Sequence, residues 1–591
     1  MHFKIRISLL LILAIPGIAP ADPAPERLLP ARTLVALLTD NASKFVKVWS
    51  ETQFPALAND PLMVPIVAEV DKQLRSSPVL TGAMGLQWED VKAVASGPAG
   101  AAIIRTGPER TSLLALVDTT GRGTQRTFLL ARVIASVLNH KGHLEVEQIE
   151  GETVTVMVIP VDDGVSPVRV YSLVKGNMLI LADDALAVAG VLKRWKGGDE
   201  CLADQSEYKK VRDRARPADG KPPHLTAFID RVRLAEGWSA PRGEKSRRGL
   251  LKVLNEEGLA QVKSIAASIR FGEGPYDAVL RAFVYAPEPH ERALRLLHLP
   301  NQAGLEAEPL VPEWATRCLT FNMNMPDIIA SFACIFDHIT GKAGDLDAVI
   351  DALRDDVEGP RVDVQGEVLD RLTGRVTIFG AGPAAGSMQT GRRMIVFQAR
   401  DEAKLAECVG RLLANDESVQ LVKNDGQPYW RIVSNSTGVA DADQAKHVAI
   451  AVARGHLMIA DDESLMTSIL SSKSGKPLTS DPAYQRVEAQ MRPLQAREAS
   501  FRLFARPSEG LRGLYELART GRLAQSPSLF AQIVRDRLER TQINSEKLPD
   551  FNKVNHYLQP IGGLGVTNPD GWDVTIFSLK RLAAAKPTDQ K

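Results

Sequence analysis

Residues Lys175 to Asp184, reading K-G-N-M-L-I-L-A-D-D, return as R-G-H-L-M-I-A-D-D at Arg454 to Asp462. Other punctuating residues repeat at nearly the same distance. Gly97 answers to Gly374 at a separation of 277, Gly107-Pro108 to Gly382-Pro383 at 275, and Gly151 to Gly426 at 275. Leu202, Tyr208 and Val211 answer to Leu478, Tyr484 and Val487, and Leu225 to Asp230 answers to Phe501 to Arg506, all at 276. Tyr276-Asp277 answers to Trp572-Asp573 at 296, consistent with an insertion in the second copy. Offsets held over so many positions predict an internal duplication, with a period far too long for a solenoid.

Each copy reads as the same series of elements. A strand after a proline (Leu34 to Leu38; Cys318 to Phe321) leads into a helical section, then two strands joined at the Gly-Pro turn, a helix, and a hairpin turning at Gly151 or Gly426. The repeated stretch follows as a short apolar strand running into an amphipathic helix, with Asp184 or Asp462 placed to cap the helix N-terminus. Each copy then closes with the strand at 225 or 501, a helix, and a last strand pair around Gly272 to Tyr285 or Gly565 to Leu579. Hairpins imply antiparallel pairing. The expected class is α+β: two similar repeats, each a mostly antiparallel sheet with helices packed on one side.

The expected organisation is a signal peptide at 1–21, a first repeat at 22–305, a second at 306–580 and a disordered tail at 581–591. Lys4 and Arg6, the apolar Leu9 to Ile15 and the A-x-A site at Ala19-Pro20-Ala21 make up the export signal. A periplasmic or extracellular chain without a membrane span is the consequence. Without Lys4 and Arg6 the chain carries 70 basic against 71 acidic residues, so nothing in its charge calls for nucleic acid or an anionic surface. A mature chain of ~570 residues is too long for one core.

The chemical motifs are few. Gly380 to Gly386, G-A-G-P-A-A-G, has the composition of a phosphate loop, but it precedes a strand, Met394 to Phe397, where such a loop must open a helix. A hairpin turn is the reading. The candidate metal cluster is His140, His143, Glu145 and Glu147, at a helix end and along a strand that puts both glutamates on one face. The second copy has no equivalent ligands, so no metal is assigned. Four cysteines, Cys201, Cys318, Cys334 and Cys408, form no disulfide framework, although Cys318 and Cys334 lie on consecutive elements that a bridge could join. No G-x-S-x-G or H-E-x-x-H motif is present, so no catalytic residue and no cofactor is assigned.

The export signal followed by R-L-L-P-A-R-T-L-V at Arg27 to Val35, the junction Ala95-Ser96-Gly97, and the K-G-N-M-L-I-L-A-D-D unit with its L-x5-Y-x2-V tail resemble exported bacterial proteins of domain-of-unknown-function type. The resemblance covers most of 27–290 and more loosely 306–580. It implies a fold and a compartment, and it brings no catalytic residues. Three functions stay open: foremost a non-catalytic interaction or structural protein of the envelope or periplasm with a protein partner, then a carrier of a small apolar molecule or lipid, then a hydrolase with dispersed catalytic residues. A large apolar cavity would favour the carrier, and a cleft with converging titratable groups the hydrolase.

Overall fold

The structure, a computed structural model, describes residues 22–76, 88–107, 110–160, 167–231, 258–382, 391–433, 447–471, 475–495, 497–526, 529–541 and 544–582. The export signal at 1–21 and nearly all of the tail lie outside these residues. The chain divides into two compact units, the first containing 22–43 and 88–206, the second 44–76 and 207–582. Helices and antiparallel sheet make up both, so the class is α+β.

The first unit carries seven strands: β1 (Thr33–Thr39), β2 (Ala99–Arg105), β3 (Thr111–Asp118), β4 (His143–Ile149), β5 (Glu152–Ile159), β6 (Val168–Lys175) and β7 (Met178–Ala182). Their order across the sheet is β1-β2-β3-β7-β6-β5-β4, every neighbour antiparallel. Glu150 and Gly151, both at positive φ, make the two-residue turn between β4 and β5. That is the turn geometry whose twist matches paired strands. The helix Gly123–Asn139 buries Leu129, Val133 and Val137, at the four-residue spacing of one helix face, against Met157, Ile159 and Val170.

The repeated stretch of this unit is built as a joint. Asp184 is the N-cap of the helix Ala185–Trp195 and accepts from Leu186 N at 2.9 Å. Its other oxygen accepts from Thr106 Oγ1 at 2.9 Å and faces Arg110 Nε at 2.8 Å. Asp183 accepts from Ser112 Oγ at 2.5 Å and from Leu113 N at 3.0 Å, at the start of β3. One aspartate therefore caps the helix and the other pins the neighbouring strand. Asp184→Ala removes a cap and leaves a threonine hydroxyl without its partner, and should destabilise the unit by about 2 kcal/mol. Urea unfolding followed by circular dichroism measures this; a loss below about 0.5 kcal/mol would mean the joint is not closed as described.

The second unit carries β8 (Leu225–Asp230), β9 (Ser264–Phe271), β10 (Tyr276–Tyr285), β11 (Arg317–Asn322), β12 (Leu372–Ala381), β13 (Arg392–Ala399), β14 (Val419–Asn424), β15 (Gln427–Val433), β16 (His447–Ala453), β17 (His456–Ala460), β18 (Phe501–Ala505), β19 (Ile561–Asn568) and β20 (Gly571–Leu579). Their order is β8-β9-β10-β20-β19-β18-β11-β12-β13-β17-β16-β15-β14, again antiparallel throughout. Asp425-Gly426 and Arg454-Gly455, all four at positive φ, turn the hairpins β14–β15 and β16–β17. Asp462 caps the helix Glu463–Leu470 through Leu465 N at 3.1 Å, and Asp461 accepts from Arg393 N at 2.6 Å. The main core packs Phe379, Met394, Met458, Ile469, Tyr484, Phe504 and Phe577.

Candidate functional site

In the second unit, strand ends and short helices leave a cleft of about 550 Å³. One wall is the short helix Gln53–Ala58, which contributes Gln53, Phe54 and Leu57. The other comes from Leu511, Leu514, Leu558 and Ile561, with Thr316 and Arg317 at the start of β11 and Arg506 just beyond β18. Most of this lining is apolar. Phe54 stands 66% exposed, and Leu511 is exposed as well. Large apolar side chains left wet inside a concavity are the usual mark of a ligand site.

Its polar groups are held by specific contacts. Gln53 N donates to Asp277 Oδ1 at 3.1 Å, and Gln53 Nε2 donates to Leu579 O at 2.8 Å. Burial pushes the Asp277 carboxyl above its usual range, with the Gln53 hydrogen bonds acting the other way. Tyr557 donates to Asp60 Oδ2 at 2.8 Å; the Asp60 carboxyl lies below its usual range because it accepts from Leu62 N and from that hydroxyl. Arg506 is held through its two Nη atoms, paired with Asp481 Oδ2 at 3.1 Å and donating to the carbonyls of Ala315, at 2.7 Å, and Glu313. Arg317, by contrast, is exposed at the cleft and has no ion pair among the described residues. The arrangement can therefore take an apolar body and offer one guanidinium to an acidic group.

The residues singled out in the sequence lie elsewhere. His143 Nε2 is 3.1 Å from Glu145 Oε1, and Arg169 Nη2 donates to Glu145 Oε2 and Glu147 Oε1, both at 2.6 Å. The Arg169 hydrogen bond, with that of His143, holds the Glu145 carboxyl below its usual range. His140 Nδ1 contacts Ser136 O at 2.8 Å, so this cluster is an ion-pair network around Arg169. Gly380 and Ala381 end β12, whose pairing with β13 runs to Ala381 opposite Arg392, and Gly382 O accepts from Arg392 Nε at 3.0 Å; 383–390, including the last four residues of the glycine-rich stretch, lie outside the described residues. All four cysteines are free, including Cys318 and Cys334. Cys201 donates to Asp204 Oδ2 at 2.9 Å, and burial pushes the Cys318 thiol up to about 12, which leaves it unreactive.

Sequence reasoning missed the cleft because its lining is drawn from positions 53 to 578, with no local signal joining them. Comparison with protein-family models, curated proteins and solved structures gave no match. No described helix is long and apolar enough to cross a membrane.

Proposed function

We propose that the protein is a non-catalytic, exported binding protein that carries a small amphipathic molecule in the cleft of its second unit. The observation that carries this is the pairing of wet apolar side chains, Phe54 and Leu511, with Arg317, which has no ion pair among the described residues, in one concavity. The apolar walls would take the body of the ligand and Arg317 its acidic group, by a charge-assisted hydrogen bond.

The proposal includes the duplication. Support comes from the strand orders: β1-β2-β3-β7-β6-β5-β4 in one part of the chain and β11-β12-β13-β17-β16-β15-β14 in the other follow the same route. At the offset of 296, Leu280 of β10 corresponds to Ile576 of β20, and these two residues pair directly. A second reading, an interaction protein, draws on Phe332, Ile339, Val349 and Val357, exposed apolar residues on and just beyond the helices Ile328–Thr340 and Asp345–Asp355.

Titration with an anilinonaphthalene sulfonate, apolar rings bearing one anion, tests the carrier reading on the full chain. One saturable site is expected, weakened about tenfold in Arg317→Gln by loss of the charged contact and more in Phe54→Asp, which places a carboxylate in the cleft. Both substitutions are at exposed positions. Binding equal to wild type in both would reject the cleft as the site.

A further inference from the structure

Immediately after β10 the second unit holds a second, chemically different site. The chain runs Glu288-Pro289-His290, passes through the 3-10 helix Arg292–Leu297 and reaches His298. One ligand-type atom from each of Glu288, His290 and His298 lies within 4.8 Å of the others. We propose that these three side chains bind a divalent transition-metal ion of the zinc class.

His290 carries the inference. It is 7% exposed, and its Nε2 lies 2.9 Å from the carbonyl oxygen of Ala286. A carbonyl can only accept, so Nε2 bears the proton and Nδ1 presents a lone pair. That Nδ1 is buried and has no hydrogen-bond partner among the described residues. Buried acceptors are seldom left so, and an imidazole whose far nitrogen donates to a carbonyl is oriented as metal-bound histidines are.

The surroundings fix the other donors. His298 Nδ1 already lies 3.4 Å from Glu288 Oε1. Ligands about 2.0–2.1 Å from a tetrahedral zinc sit roughly 3.3 Å apart, so that pair needs almost no movement, and His290 has only to close in from within 4.8 Å. Trp572 stacks on the His290 ring with centroids 5.0 Å apart and planes at 18°, while its Nε1 donates to Leu297 O at 2.8 Å. One indole thus positions His290 and the backbone just before His298. Arg295 Nε donates to His290 O at 3.2 Å.

The cleft in front of these residues is also lined by Arg295 and Asp327, which leaves room for water ligands and a second carboxylate. Two imidazoles and a carboxylate suit zinc, cobalt or copper, whereas magnesium and calcium prefer oxygen donors throughout. Nothing in this site overlaps the apolar cleft, so either can fail without the other.

The test is titration of the chelator-stripped full chain with Co²⁺, read by visible absorption, and with Zn²⁺, read by calorimetry. One equivalent is expected to bind, and His298→Ala and Glu288→Gln should each weaken it at least tenfold. Both positions are partly exposed, with side chains 41% accessible, so these variants keep the fold even if His290→Ala does not. Copper should quench part of the tryptophan emission in wild type, and Trp572→Phe should remove that part. His143→Ala should leave the affinity unchanged. No stoichiometric binding, or binding that survives both His298→Ala and Glu288→Gln, overturns the assignment.

Discussion

Gly571→Ala should destabilise the second unit by about 3 kcal/mol or more, the combined effect of a strained φ and a backbone clash. Gly571 opens β20 at φ +135°, a conformation that side-chain-bearing residues rarely adopt. A Cβ there would run into the carbonyl oxygen of Val284 and come within 3.0 Å of Ala286 N. Neither neighbour can yield readily: Val284 lies in β10, whose pairing with β9 and β20 fixes its backbone, and Ala286 N donates to Asp570 O at 3.1 Å. Denaturant unfolding should show a lower midpoint with an unchanged slope. An unchanged midpoint would mean that β10 and β20 do not approach so closely.

Arg502→Met should destabilise the same unit by about 3–5 kcal/mol at neutral pH, because it strands a buried charge. Arg502 Nη1 lies 2.8 Å from Glu488 Oε2 and 3.0 Å from Glu306 Oε1, and Nη2 donates to Gln495 Oε1 at 2.6 Å. The Arg502 and Glu488 side chains are only 12% and 13% exposed. Burial raises the Glu488 carboxyl above its usual range even though Arg502 acts in the opposite direction. A carboxyl whose folded pKa is raised favours folding below its unfolded value, about 4.3, and that advantage is lost as pH rises through the folded value. Without Arg502 the folded value climbs further. The deficit of the variant should therefore be small near pH 4 and grow toward pH 7. Arg502→Met combined with Glu488→Met should recover most of the loss, since removing both partners leaves no unpaired charge. Equal deficits at pH 4 and pH 7 would show that Glu488 is not the stranded group.

What could be read from the sequence was local. The turns at Glu150-Gly151 and Asp425-Gly426 announce themselves because positive φ selects for glycine within two residues. Asp184 and Asp462 were legible as caps because a cap contacts the next two or three backbone N–H groups. The pairing of β10 with β20 was not, since periodicity marks a strand without naming its partner across almost 300 residues. Gln53, Asp277, Arg317 and Arg506 are ordinary surface residue types until the sheet brings them to one cleft.

The metal-type residues illustrate the same limit. His143, Glu145 and Glu147 looked suitable by spacing, yet Arg169 from β6 takes up both carboxylates. Glu288, His290 and His298 lie within eleven positions and could have been noticed. What distinguishes them, a buried imidazole nitrogen without a partner among the described residues, is set by the Ala286 carbonyl and by Trp572 from the far end of the chain.

The seam between β10 and β20 also orders events during synthesis. β20 ends at Leu579, so β10 gains its partner on that side only after almost 300 further residues have been made. Until then β10 and β19 present unpaired edges, each able to recruit a strand from another molecule. A ribosome stalled short of residue 571 would thus release a chain with two sticky borders in the middle of its largest sheet. Loss of a few residues there endangers solubility far more than the same loss at the surface.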